Sequence, residues 1–211
     1  MERLSVPSAN ASPPTRPSAL ELLALLAVLA LALWLRLGDI DEPFTGRGWQ
    51  HQSAQLGLMG RNYVENGYTT TRFVPVTDPV PPADGRWLIY LHHPPLVYLV
   101  LSFSYLAFGV HEWSGRLAMV LASLGGLLAL WALARRLFGP GAALATAALA
   151  ATVPMTAFYA SLACEDGSLL LLFVSLSLLL YARQLDRPEG GGWWAVLGAL
   201  MLAAATDWQG Y

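Results

Sequence analysis

Three groups of residues in this 211-residue chain have side chains able to move a proton or hold a charge at one place. Asp39, Asp41 and Glu42 follow the first apolar stretch, His51 and the pair His92-His93 lie in the polar segment after it, and Glu165-Asp166 occupy a later turn. A carboxylate beside a low-dielectric phase can take a proton from an incoming hydroxyl or hold a cation against a phosphate. Each also has a plainer reading. Asp39, Asp41 and Glu42 suit a solvated cap after a helix, and the dipole of the helix that follows satisfies one acid of Glu165-Asp166. The histidines and Asp166 are compatible with a divalent metal, but their spacing matches no compact ligand motif, so no metal ligand is assigned.

Arg61 is a candidate bidentate donor to a lipid-linked phosphate, with an ordinary salt bridge as the alternative. The run His92-His93-Pro94-Pro95 places a polar pair before two prolines, which fixes an extended lead-in to a helix. All 12 basic residues are arginine, so chemistry that needs a lysine amine is excluded for this stretch. A net charge of −2 gives no basic face for nucleic acid. Cys164, the one cysteine, has no internal disulfide partner and reads as a small apolar residue near a helix end.

The elements that must position these groups are membrane helices. With 55% hydrophobic and 12% charged residues, the chain has lipid as its solvent. Residues 1–18 are polar and Pro/Ser-rich and read as a disordered cytoplasmic tail. The apolar run 19–37 is long enough to span and longer than the core of a cleaved signal peptide, so a retained anchor is expected. Four further spans are expected over about 115–137, 140–160, 167–183 and 193–206. Arg135-Arg136 and Arg183 with Arg187 place two short connections in the cytoplasm, which turns Cys164, Glu165, Asp166 and Asp207 outward.

Parity then requires an even number of crossings between the tail and Arg135-Arg136. The apolar segment 95–109 should therefore lie along the membrane as a juxtamembrane or re-entrant helix, with Leu96, Leu99, Phe103 and Leu106 as its apolar stripe and Ser102 and Ser104 between them. A second short helix is expected over 52–65, where Leu56, Met59 and Tyr63 make one stripe and Asn66-Gly67 a stop. Residues 69–87 read as an ordered, proline-rich loop, and 38–114 together as one outer loop. Gly125, Gly126 and the alanines of 142–151 read as close helix packing. The ending Asp207-Trp208-Gln209-Gly210-Tyr211 reads as a truncation just past a helix.

Several motifs in this order resemble a known set: His93-Pro94-Pro95-Leu96, Phe108-Gly109 before Glu112-Trp113-Ser114-Gly115-Arg116-Leu117, Arg135-Arg136-Leu137-Phe138-Gly139, Arg61-Asn62-Tyr63 and the acid at Asp166. Together they resemble the N-terminal half of GT-C glycosyltransferases, in particular the protein O-mannosyltransferase-like and lipopolysaccharide-core or aminoarabinose transferase-like group. The resemblance implies an all-α, multi-pass helical bundle in a bacterial plasma membrane, with its N-terminus cytoplasmic. It implies an inverting transfer of a sugar from a polyprenyl-phosphate donor to a hydroxyl of a protein, lipid or glycan acceptor at the outer face.

By the same resemblance a first-loop aspartate serves as general base, in an Asp-Glu pair about nine residues before Arg-Asn. Here Gln52 and Ser53 stand there. The expected catalytic residues are therefore Asp166 with Asp41, Asp39, Glu42 or His51 as the displaced base, and the expected substrate-binding residues are Arg61, Asn62, His92, His93 and Glu165. Many relatives carry a lysine where this chain has Asp207-Trp208, so no phosphate-holding role is expected there. A non-catalytic scaffold that binds a lipid or a partner is the alternative. A transporter fragment is disfavoured, because the expected spans hold few ionisable groups.

Overall fold

A computed structural model describes residues 16–44, 50–164, 167–186 and 189–210. Among them the chain is helical: α1 Ala19–Leu37, α2 Gln50–Asn66, α3 Leu96–Phe108, α4 Glu112–Phe138, α5 Pro140–Thr152, α6 Pro154–Ala160, α7 Ser168–Leu185 and α8 Trp193–Thr206, followed by a 3-10 turn at Trp208–Gly210. Extended pairing among the described residues is confined to one isolated bridge, Val76 to Ile89, inside the loop between α2 and α3.

Among the described residues three helices, α1, α4 and α7, are long and apolar enough to cross a bilayer, and α5 with α6 makes a fourth if a bent pair serves as one span. The span expected over 140–160 is this pair, broken at Val153-Pro154 with a bend of 65°. Proline has no N–H to continue the ladder and its ring crowds the preceding turn. The helix over 193–206 has 14 residues, about 21 Å at 1.5 Å per residue, and falls short of a core roughly 30 Å thick. The crossing expected there is not supported by length.

Surfaces follow the solvent. Leu20, Leu23, Leu26 and Trp34 of α1 are 61–78% exposed, which suits lipid and not water. The stripe of α2 behaves as expected, with Leu56, Met59 and Tyr63 buried against Val97, Tyr98, Leu101 and Tyr105 of α3 and Met119 of α4. The stripe of α3 is divided, with Leu99 packed on the core. Phe103 and Leu106 are exposed, whereas Ser102 and Ser104 are buried and hydrogen-bonded, to Leu99 and Tyr68 and to the Ser114 carbonyl. Periodicity locates a stripe but not the side that faces protein when the solvent is also apolar.

Charged groups tie the bundle together. Glu21, held in the first turn of α1 by the Ser18 cap, accepts from Arg135 of α4 at 2.6 and 3.2 Å, both side chains nearly buried. Arg136 pairs with Asp186 at the end of α7. Arg36, expected only as the end of the first span, is 1% exposed. Its Nε donates to Ser123 (3.0 Å) and its Nη1 to the carbonyls of Ala32 (2.9 Å) and Ala151 (3.2 Å). Ala151 lies in the last turn of α5, where a helix leaves carbonyls without donors, so Arg36 fastens the bent pair to α1 and α4. Gly126 sets the approach of α4 to α7: a Cβ there would lie 2.9 Å from Leu171 and 3.1 Å from the Leu172 nitrogen.

Candidate functional site

The end of the bundle that carries the long loop is built from short motifs, each with a visible task. After α3 the chain turns at Gly109 (φ 85°) and enters α4 through a box in which Ser114 bonds the Gly109 and His111 carbonyls at 2.7 and 2.8 Å. Gly115 makes room for Tyr105, whose hydroxyl would be 2.9 Å from a Cβ. Arg116, 2% exposed, donates to the carbonyls of Ile40 (3.2 Å) and Glu42 and sits 4.8 Å above the Phe44 ring. It thereby holds the backbone of the acidic turn after α1, leaving the side chains of Asp39, Asp41 and Glu42 exposed.

Arg61-Asn62-Tyr63 fixes the loop from below. Asn62 is 1% exposed and its amide donates to the carbonyls of Val76 (2.8 Å) and Asp78 (2.9 Å). Both amide hydrogens are used by the loop, so Asn62 positions the loop. Tyr63 donates to the Phe73 carbonyl (3.0 Å), and Arg61 donates to that of Pro79 (2.9 Å) and lies 3.3 Å from Glu65. Burial pushes the Tyr63 phenol well above its ordinary range, and burial together with Glu112 pushes Tyr105 up to about 12.

The histidine pair meets the far end of the chain. His93 Nδ1 is 2.8 Å from Oδ1 of Asp207, a contact across 114 positions. Asp207 is almost fully buried at the end of α8, and a quarter of the His93 side chain is exposed. Trp208 donates its indole N–H to the His92 carbonyl, and Tyr90 stacks on His93 with ring centres 6.1 Å apart. A buried carboxylate on one imidazole nitrogen fixes the tautomer and leaves the other nitrogen to accept a proton. Sequence reasoning found His93 but missed its partner. The signal available was an acid just past an apolar helix in a chain with few of them.

His51 is exposed in the first turn of α2. Ser53, two residues on, is fully buried and donates to the Ala163 carbonyl at 3.3 Å, so the start of α2 packs on the turn after α6. Glu165 and Asp166 lie outside the described residues. Beside that turn is a cavity of ≈ 440 Å³ between α4, α6 and the start of α7, where Ser123, Thr156, Tyr159 and Ser168 supply hydroxyls. Ser123 is the residue that accepts from Arg36 Nε, and Nη2, on the same edge of the guanidinium, is buried without a hydrogen-bond partner. Among the described residues no three His, Cys, Asp or Glu side chains come together as a metal site.

The family model described as dolichyl-phosphate-mannose-protein mannosyltransferase matches residues 92–207, whose ends are the two partners of Trp208 and His93 just described. Among solved structures the chain is similar to the crystal structure of ArnT from Cupriavidus metallidurans in the apo state, at 21% identity and a TM-score of 0.49. That likeness covers 89% of this chain and 32% of that one, so the chain spans about a third of its length. No curated protein matches the chain by sequence.

Proposed function

Because the chain belongs to the dolichyl-phosphate-mannose-protein mannosyltransferase family, we propose that it is part of a membrane glycosyltransferase that moves a sugar from a polyprenyl-phosphate donor to an acceptor hydroxyl at the outer membrane face. The family match over more than half of the chain carries this reading. The described helices supply what such a reaction needs: apolar outer surfaces for a lipid-borne donor and a braced polar loop at one end of the bundle.

In the proposed reaction the acceptor oxygen attacks the anomeric carbon, the bond from that carbon to the phosphate oxygen breaks, and polyprenyl phosphate leaves with the electron pair. A single displacement inverts the anomeric centre. The acceptor proton must go to a base, for which Asp166, Asp41, Asp39, Glu42 and His51 are the candidates from sequence. His93 joins them because Asp207 holds its imidazole in the geometry that general bases use. Arg61, His92 and Glu165 are the proposed contacts to substrate.

The test is sugar release from a polyprenyl-phosphate donor by the full-length protein in membranes, compared across Asp166→Asn, Asp41→Asn, Asp39→Asn, His51→Ala and His93→Ala. Loss of turnover by two or more orders of magnitude in one variant, with donor binding kept, identifies the base. No transfer by the parent protein with any polyprenyl-phosphate sugar would sink the proposal and favour a scaffold that binds lipid without chemistry.

A further inference from the structure

Away from the His93–Asp207 pair, the loop between α2 and α3 encloses a cleft of ≈ 520 Å³, bounded on one side by Thr71, Arg72 and Val74 and on the other by Pro82, Arg86 and Trp87. Two guanidinium groups thus line one cavity, and among the described residues neither has a hydrogen bond or an ion pair. Arg72 is held there at a conformational cost, since it and Phe73 both adopt left-handed backbone (φ 56° and 60°), which residues other than glycine seldom occupy. The bonds that enforce it are Phe73 N to the Tyr68 carbonyl (2.9 Å), Arg72 N to Thr69 (3.1 Å) and Tyr63 to Phe73 (3.0 Å). Arg86 is placed by Asp84, which accepts from its backbone N–H at 3.0 Å, close to Gly85 at φ 68°. The two acids of this loop, Asp84 and Asp78, each accept from a backbone N–H, of Arg86 and of Leu88.

The rim is apolar. Phe73, Val80, Leu88 and Ile89 are 47–67% exposed. This apolar rim continues onto the bundle: Phe73 contacts Tyr68 at 5.9 Å and Tyr68 contacts Phe103 at 6.3 Å, and Phe103 belongs to the outward apolar face of α3. Water would oppose such a surface, whereas the boundary of a bilayer suits it, with apolar side chains against acyl chains, tryptophan at headgroup level and arginine on phosphate.

We propose that this cleft is a headgroup site for an anionic phospholipid of the surrounding bilayer, with Arg72 and Arg86 on its phosphate and Phe73, Leu88 and Ile89 in the acyl boundary. The site seats the loop on the membrane and is separate from sugar transfer, so binding without turnover tests it. The occupant is bulk lipid because the apolar rim joins the outward face of α3, the face turned to the lipid around the protein.

The experiment is lipid retention by the full-length protein, purified in detergent and read by native mass spectrometry, with phosphatidylglycerol, phosphatidylcholine, decaprenyl phosphate and inorganic phosphate as separate probes. Phosphatidylglycerol should be retained over phosphatidylcholine, and Arg72→Gln with Arg86→Gln together should weaken retention on the order of thirtyfold, two charges at about fivefold each. Arg72→Lys with Arg86→Lys should restore most of it, and raising salt should weaken the parent protein in the same direction. Should the glutamine variant fold poorly, the salt response of the parent decides. Equal retention of both phospholipids, or retention indifferent to salt, overturns the proposal. So does decaprenyl phosphate or free phosphate displacing phosphatidylglycerol from the site at equal concentration.

Discussion

Replacing Asn62 with aspartate removes both amide donors while keeping the volume of a fully packed side chain, and it should loosen the loop from residue 75 to 90. Two carbonyls, those of Val76 and Asp78, lose hydrogen bonds of 2.8 and 2.9 Å. Each buried carbonyl left without a donor costs about 1–3 kcal/mol, and the new carboxylate faces their oxygens, so we expect a local destabilisation of about 2–4 kcal/mol. At roughly tenfold per 1.4 kcal/mol this is about 30- to 700-fold in the opening equilibrium. Hydrogen exchange reads it directly at the amides of Thr77, bonded to Leu88 (3.0 Å), and Tyr90, bonded to Pro75 (2.9 Å). Asn62→Ala should show a smaller loss at the same amides, since it adds no repulsion. Protection that is unchanged in Asn62→Asp, together with loss of donor binding, would refute the structural role and return Asn62 to the substrate.

Other outcomes follow from the same contacts. Gly126→Ala should destabilise by about 1–3 kcal/mol, because its methyl meets Leu171 and the α7 backbone, while Gly141→Ala, with open space around it, should be neutral or stabilising in the same thermal scan. Glu21→Gln leaves Arg135 buried without its counter-charge and should cost about 3–5 kcal/mol, with much of the loss recovered in Glu21→Gln/Arg135→Met. Tyr105, raised to about 12 from 10, favours folding while protonated. That contribution is whole below pH 10 and fades as pH rises toward 12, so Tyr105→Phe should flatten the alkaline fall in stability over this window. Asp207→Asn should lower transfer if His93 is the base, and His93→Ala/Asp207→Asn should then be no worse than His93→Ala alone; additive losses would mean the two residues act separately.

Local pattern carried the helices well. Residues 19–37 matched α1, and Leu56, Met59 and Tyr63 of α2 proved to be core, because one face of that helix meets protein and the other does not. On α3 the same method found a stripe without saying what it meets: Leu99 packs on protein while Phe103 and Leu106 face outward, since lipid rewards an apolar outer surface as much as protein does an inner one. Arg36 read as the end of a span and is instead the buried fastening of a broken helix, a role that depends on Ala151, 115 positions away. The resemblance directed attention to His93 but treated Asp207 only as a departure from relatives. Their bond spans 114 positions, and no local period reports on such a pair. Conversely, Trp113-Ser114-Gly115-Arg116 carried the resemblance without saying why, and its task is mechanical: it turns the chain, admits Tyr105 and grips the turn after α1.

The bond from His93 to Asp207 also imposes an order in time. A ribosome adding about 5–20 residues per second needs roughly 6–23 s to pass from the first partner to the second. Through that interval the clasp has not been made, and nothing from the end of α8 holds His92 and His93 in place. Insertion of the bundle should therefore finish before the loop settles, so a slowed ribosome between these two codons would prolong the one stage at which the nascent protein is most open to misassembly.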